Sequence, residues 1–349
     1  MKHLILLLCL ICNVQLSQAQ FSILFVDDSN DQFGNAELFD AALDSLGYDV
    51  TYFDAEGMGL SPSAEVMASF DLTIWHTSNN GVGLQFWNNN DEDNLEIKTF
   101  LDNGGHLWLV GLDFMFDRYG IPPVQFTAGD FPFDYLGIQS YDAQSYGNDG
   151  NIGVAMAIPL TEGTIPGLDT LTWLFSTLWW ADAVDPRPET EVIYEFGEAP
   201  YVLNEAPTGV YYNNGNSAVL SYFFDLAVVR DFEMLKSTTQ PVLTFFEQLS
   251  TSIENNIQMS LTELSVFPNP SGGPLAINFQ TKESGVLSIQ IIDIYGKLIS
   301  EPVSNLKIEA GEQKFNLESG IVSSFGNGLY FIQIKINEER QAVPWVLTR

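Results

Sequence analysis

Four residues of this chain carry side chains suited to proton transfer or cation binding: Asp27 and Asp28 in SILFVDD, His76 in DLTIWHT and Asp113 in VGLDF. Each ends or follows a short apolar run with the character of a buried strand, and α/β proteins place their ligand sites beyond the carboxyl ends of strands. A carboxylate and imidazole group at such an edge would hold a divalent cation or move protons, provided the side chains come within ligand or hydrogen-bond distance. The competing role for Asp27 and Asp28 is to cap the next helix and fix loop backbone. No cofactor is evident from motifs, and calcium is the cation the oxygen-rich segments would suit. A second acidic cluster, NNNDEDNLE over 88–96, lacks the Gly and terminal Glu of a twelve-residue calcium loop and reads as the solvated start of a helix. The aromatic stretch WLFSTLWWAD (173–182) has flat faces that would suit a sugar ring. For aromatics in an apolar segment, core packing or a lid is the commoner role.

Several chemistries have no residues to carry them. Both cysteines, Cys9 and Cys12, lie within the first 19 residues, so the remainder offers no thiol nucleophile, thiolate ligand or disulfide. G-x-S-x-G, H-E-x-x-H, the P-loop Lys motif and a G-x-G-x-x-G turn are all missing. His106 opens a strand, at the end remote from a crevice, and is assigned a structural or exposed role. Thirteen basic residues against 45 acidic ones give a net charge of −32. Such a surface repels nucleic acid and anionic lipid and keeps the protein dispersed.

The first residues form a secretory signal pattern: Lys2 and His3, the apolar run LILLLCLIC, and small residues at SQA ending at Ala19. The run is too short to span a bilayer, and no second long apolar segment follows. From Phe21 the chain alternates strands and helices: SILFVDD, AELFDAALDSLG, YDVTYFD, SPSAEVMASF, DLTIWHT, DEDNLEIKTFLDNGG and HLWLVG. In the first helix Leu38, Phe39, Ala42, Leu43 and Leu46 are assigned to one face, and in the second Ser61 is the expected N-cap with Pro62 at the first helical position. This rhythm predicts an α/β, doubly wound, mainly parallel sheet. EVIYEF, GVYYNN and SAVLSYFFD extend it, and a helix over 238–250 closes it.

Past residue 250 the composition changes. TSIENNIQMSLTE reads as a linker, and then LAINFQ, GVLSIQIIDIYGKLIS, QKFNLES and GLYFIQIKIN alternate apolar and polar residues between Gly, Pro and Asn turns. About seven short strands in this segment predict an all-β antiparallel sandwich.

LFVDD, TIWHTS, DNGGHLWLVGLDF and AVLSYFF together resemble the class I glutamine amidotransferase-like superfamily, a flavodoxin-like fold. That resemblance implies a nucleophilic Cys at the strand-to-helix elbow after the fourth strand. Here Leu112 and Asp113 stand there, which argues against amidotransferase and cysteine peptidase chemistry. The C-terminal segment is similar to the type A sorting domain of the type IX secretion system. The resemblance rests on Pro268-Asn269-Pro270, the Tyr295-Gly296-Lys297 turn and the Gly328-Leu329-Tyr330-Phe331 strand, in that order. It implies recognition by the type IX secretion machinery as partner, passage through the periplasm, and a final place outside the cell or on its outer surface. Pro344, in the last strand, makes that strand an edge strand.

The sequence therefore divides into a signal peptide (1–19), an α/β domain (20–250), a linker (251–263) and a sorting domain (264–349). For the α/β domain the first reading is a non-catalytic binding or interaction module whose extracellular ligand the sequence does not name. The alternative is a carboxylate-dependent hydrolase acting on extracellular glycan or peptide.

Overall fold

The structure, a computed structural model, describes residues 21–29, 34–78, 82–88, 92–160, 163–254, 261–282, 284–294, 296–318, 320–337 and 339–349. The signal segment and Tyr295 lie outside the described residues. A nine-stranded sheet organises the first part of the chain. Its strands are β1 (Ser22–Asp27), β2 (Asp49–Asp54), β3 (Leu72–His76), β4 (His106–Val110), β5 (Met156–Pro159), β6 (Leu171–Thr172), β7 (Glu191–Gly197), β8 (Pro207–Asn213) and β9 (Ala218–Tyr222). Their order is β6-β5-β7-β8-β9-β4-β3-β1-β2. The five strands from β9 to β2 run parallel to one another, and β8, β7, β5 and β6 continue the sheet in antiparallel pairings.

Parallel strands covered on both faces read as unbroken apolar runs, and β3, β4 and β9 are buried at every residue. Strand alternation divides their side chains between two cores. Ile23, Phe25, Ile74, Trp108 and Leu220 face helices α1 (Asn35–Ser45) and α5 (Phe232–Glu254). Leu24, Val26, Trp75, Leu109 and Val219 face α2 (Ala64–Met67), α3 (Leu95–Asp102) and α4 (Phe114–Tyr119). Helices thus cover both sides of the parallel half.

The sheet keeps the expected parallel strands and adds an antiparallel extension, so it is mixed. The reason is local. The segment YYNNGNSAVL joins β8 to β9, with Asn213 Oδ1 accepting from Gly215 N and Asn214 Oδ1 from Ser217 N. A turn this short joins only antiparallel neighbours. Smaller departures also have causes. Leu38 is exposed, and α1 instead buries Ala36, Phe39, Ala42 and Leu43. Ser63, not Ser61, caps α2 by accepting from Val66 N. The closing helix runs from 232 to 254, so residues 251–254 continue it, and 261–263 already belong to the next strand.

The C-terminal part has seven strands: β10 (Leu261–Phe267), β11 (Leu275–Thr281), β12 (Gly285–Asp293), β13 (Leu298–Ile308), β14 (Gly311–Leu317), β15 (Gly328–Ile336) and β16 (Glu339–Leu347). They form two antiparallel sheets, β10-β11-β14 and β13-β12-β15-β16. Leu275, Ile277 and Phe279 from one sheet and Ile289, Ile291, Ile332, Ile334 and Trp345 from the other share a single core. Strand β16, which carries Pro344, is an edge strand. The P-N-P segment pins it: Asn269 Nδ2 donates to Pro344 O, and Asn269 Oδ1 accepts from Val346 N.

The two parts touch through the sorting motifs. Phe331 and Ile292 are buried within the same core as α2, with the Phe331 ring 6.0 Å from Phe70. Gly296 lies so near α2 that a Cβ there would stand 2.7 Å from Ser63 Oγ, and its φ of +71° already favours glycine. Residues 20–255 expressed alone are expected to unfold in one cooperative transition, since the sheet and both of its helix layers are complete without the sandwich. Loss of the Phe331 cover over Phe70 should lower the melting temperature relative to the whole chain by roughly 2–8 °C. Thermal scans followed by near-ultraviolet circular dichroism check this, and a fragment without a near-ultraviolet signal would contradict it.

Candidate functional site

The four expected residues all lie at the carboxyl edge of the parallel strands, yet they do not form one site. The pleat separates the two aspartates. Asp27 lies beside His76 and Asp54 in register, on the side of Phe25. Its Oδ1 accepts from Ser29 N and Oγ, and its Oδ2 from the Tyr52 hydroxyl. With Glu37, Asp40, Asp54 and Glu56 it lines an open acidic recess of ≈ 560 Å³. Asp28 turns to the other side, where its carboxylate accepts from Gln85 N at 2.9 Å, Phe86 N at 2.8 Å and Trp75 Nε1 at 3.0 Å. Burial pushes this carboxyl up to about 7 against the pull of those three donors. Asp28 is thus the anchor of the 82–86 loop, and Asn94 and Ser63, not Asp28, cap the neighbouring helices.

His76 belongs to a buried polar knot centred on Asp225, which follows β9. His76 Nε2 donates to Asp225 Oδ1 at 3.0 Å, and Ala227 N donates to the same oxygen at 2.8 Å. Asp225 Oδ2 accepts from Asn35 Nδ2 at 2.9 Å and Ser78 Oγ at 3.3 Å. The imidazole stacks on Phe25 and meets Phe39 edge-on. His76 and Asp225 have no solvent exposure, so this knot joins β3, β9 and the start of α1 and offers no surface to a substrate.

Asp113 stands apart, at the turn between β4 and α4. Its backbone is left-handed, with φ 60°, and its side chain does not cap the helix. Instead the two amide hydrogens of Gln144 are divided between two carboxylates: Gln144 Nε2 lies 2.7 Å from Asp113 Oδ1 and 3.1 Å from Asp182 Oδ1. Burial pushes Asp113 up to about 7. Asp182 is raised well above the usual carboxylate range, first by burial and then by the charge of Asp113. Asp182 is wholly enclosed, whereas Asp113 keeps 9% of its surface, so Asp113 is the less enclosed member of the pair.

The backbone of Trp180 adjoins this pair, its carbonyl oxygen 3.5 Å from Gln144 Nε2, and it carries part of an aromatic cluster that sequence reasoning assigned to the core or a lid. Trp179 is 48% exposed and Trp180 36% exposed, and Tyr146 joins them with ring centroids 5.8 Å and 5.2 Å away. Trp180 and Tyr146 both take positive φ, at 63° and 69°. The loops that carry them are tied down: Trp180 N donates to Ser145 O, Val154 pairs with Leu178, and Asp149 accepts from Ile152 N and Gly153 N. Gly153 lets Trp179 lie against the loop, since a Cβ there would stand 2.8 Å from its ring, at a φ of +77°. Gln144, Asp182 and Asp225 were missed by sequence reasoning, although Asp225 follows the last parallel strand just as Asp28 and Asp113 follow theirs. His106 is buried and packs against Phe246, as expected of a structural residue.

Among the described residues, no group of three or more His, Cys, Asp or Glu side chains is placed to hold a metal ion, and no helix is long and apolar enough to cross a membrane.

With this geometry in hand, comparison with known proteins divides the chain in the same place as its composition does. The secretion system C-terminal sorting domain family matches residues 265–346. This segment, with its pinned P-N-P entrance and its two sheets, is a sorting domain of the type IX secretion system. No curated protein matches the sequence. Among solved structures, the chain is similar to a polyextremophilic β-galactosidase from the Antarctic haloarchaeon Halorubrum lacusprofundi, with 10% identity, a TM-score of 0.37, and coverage of 86% of this chain and 39% of that one. An exo-β-1,4-mannosidase from Opitutaceae bacterium strain TAV5 shares 14% identity over 68% of this chain and 36% of its own, with a TM-score of 0.34. A carbohydrate deacetylase shares 15% identity over 64% and 32%, with a TM-score of 0.41. The chain spans well under half the length of each, and likeness at these scores defines neither fold nor activity.

Two measurements test the roles assigned to these carboxyls. Asp28→Ala strands three donors and is expected to cost about 3 kcal/mol, while Asp27→Ala, whose Tyr52 partner is exposed, should cost under about 1 kcal/mol; urea midpoints compare them. For pH, the carboxyls of Asp28, Asp113 and Asp182 are raised by folding, so the native state holds protons that the unfolded chain releases above about pH 4. Their contribution is most favourable below that pH and declines as pH climbs to about 7. Asp113→Asn, at a left-handed position asparagine accepts well, should remove roughly 1.4 kcal/mol per pH unit of that decline. Urea titrations at pH 4.5 and 8 that show no change in this dependence would contradict the assignment.

Proposed function

We propose that the protein is exported by the type IX secretion system and that its α/β domain works outside the cell as a binding module. The matching sorting domain over 265–346 supports the route, and in this reading the segments before it are a signal (1–19) and the cargo, whose closing helix ends at Glu254. The parallel strand order β2-β1-β3-β4-β9 is that of flavodoxin-like sheets, which supports a glutamine amidotransferase-like origin for the cargo. The elbow of such a protein would carry a nucleophile, and here it carries Asp113 on a left-handed turn.

The observation that favours binding over catalysis is the unequal exposure of the Asp113 and Asp182 pair. Glycosidic hydrolysis through two carboxyls needs both to flank the scissile bond, and Asp182 is enclosed. His76 and Asp28 are likewise committed to internal hydrogen bonds. A carboxylate-dependent hydrolase is the second reading, favoured by the carboxyl of Asp113, which burial raises to about 7.

Deleting 264–349 should leave a folded cargo in the periplasm of a host that possesses the secretion system, because the signal peptide still acts while the outer-membrane step loses its address. Residues 255–349 fused behind a signal peptide and an unrelated soluble domain should carry that domain outside. Cell fractionation reads both outcomes, and normal amounts of the truncated protein in the medium would refute the route.

A further inference from the structure

We propose that Tyr146, Trp179 and Trp180 form a platform for a neutral pyranose polymer, with Asp113 as the polar group that takes its hydroxyls. This rests on the reading of the cargo as a binding module and names its ligand class.

Large aromatic side chains are ordinarily withdrawn from water, and in this protein Trp75 and Trp108 are. Trp179 and Trp180 are consecutive and exposed, and both meet the Tyr146 ring, Trp179 tilted against it and Trp180 edge-on. Exposure alone does not make a site, but the backbone beneath gives an independent observation. Among the described residues, seven non-glycine residues take positive φ, and Asp113, Tyr146 and Trp180 are three of them. Left-handed backbone costs on the order of 1–2 kcal/mol for such residues and persists where surrounding structure imposes it, often at ligand sites. Here the three positions are linked through Gln144, which bonds Asp113, approaches the Trp180 carbonyl and lies two residues before Tyr146.

The floor supplies the second half of sugar recognition. Gln144 Nε2, which divides its hydrogens between Asp113 and Asp182, also lies 3.5 Å from the carbonyl oxygen of Trp180. The carboxyl pair and the aromatic surface are therefore built on the same residues. A pyranose offers a C–H face that stacks on an aromatic ring and a rim of hydroxyls that donate to a carboxyl oxygen. Flat rings with one less enclosed carboxyl match that pattern. The net charge of −32 disfavours acidic polymers and peptides rich in Asp and Glu, which restricts the class to neutral chains. The loops are held by backbone hydrogen bonds and by Asp149, so little ordering is needed on binding.

The test is affinity electrophoresis of the whole secreted chain through gels carrying soluble cellulose derivative, β-1,3-glucan, mannan, xylan or amylose, with alginate as the anionic counterpart. At least one neutral polymer should retard the wild-type protein, and Trp179→Ala and Trp180→Ala should each weaken retention roughly tenfold. Phe267→Ala, which removes an exposed aromatic on the sorting domain, should leave retention unchanged, and near-ultraviolet circular dichroism should show that each variant is folded. Asp113→Asn should weaken binding less than either Trp variant, since an amide oxygen still accepts. Failure of every neutral polymer to retard the protein, retention only on alginate, or equal retention by the Trp variants would overturn the platform, while normal export in the same preparation would leave the delivery reading standing. Cleavage of a retained polymer together with loss of retention in the Trp variants would support the platform and displace the non-catalytic reading.

Discussion

A single enclosed carboxylate, Asp225, fixes the carboxyl edge of the sheet. It receives hydrogens from a side chain at the end of β3, from the first residue of α1, from Ser78 in the following loop and from the backbone of Ala227. A buried polar group is costly unless its hydrogen-bonding capacity is used, so these segments hold their places together. The edge that results is rigid, and its polar residues are mostly spent on internal order. The enclosed knot explains why a cluster suggestive of catalysis presents no reactive surface, and leaves Asp113 as the less enclosed carboxyl.

Much of the parallel half was legible because its strands are continuous apolar runs and its helices repeat at their own period. Ile97, Phe100 and Leu101 of α3 fall on one buried face as their spacing implies. The antiparallel half also had a signal, the Asn-Asn-Gly turn between β8 and β9, whose chemistry outweighs the expectation of continued crossovers. The site was less legible. Asp27 and Asp28 are adjacent in sequence and opposite in space, a separation that strand alternation predicts once it is applied to polar residues. The pairing of Asp113 with Asp182 through Gln144 joins three distant segments, and no local pattern marks it. The exposure of Trp179 and Trp180 was hidden because their segment alternates with neither period, so composition alone spoke for the core.

The delivery segment follows a different logic. Its recognisable motifs are structural fastenings: Asn269 holds the edge strand, and Phe331 and Gly296 form the seam with α2. The residues that make the segment recognisable as a sorting domain are thus also those that close its fold and seat it on the cargo. Cargo and address share one apolar seam, so the folded precursor presents the sorting domain in a defined orientation.

The position of β9 governs how this protein comes to its native form. It is the centre of the sheet, with Ala218 beside His106 in register, yet it follows its parallel neighbour β4 only after more than a hundred residues. Closing a loop of that length costs roughly 4 kcal/mol in chain entropy, and nothing repays it until β9 arrives. Until then β4 has an open, apolar edge, the kind of template on which chains add to one another. The chain therefore passes through an incomplete sheet on its way to the native form, and the exposure of that edge is set by topology alone.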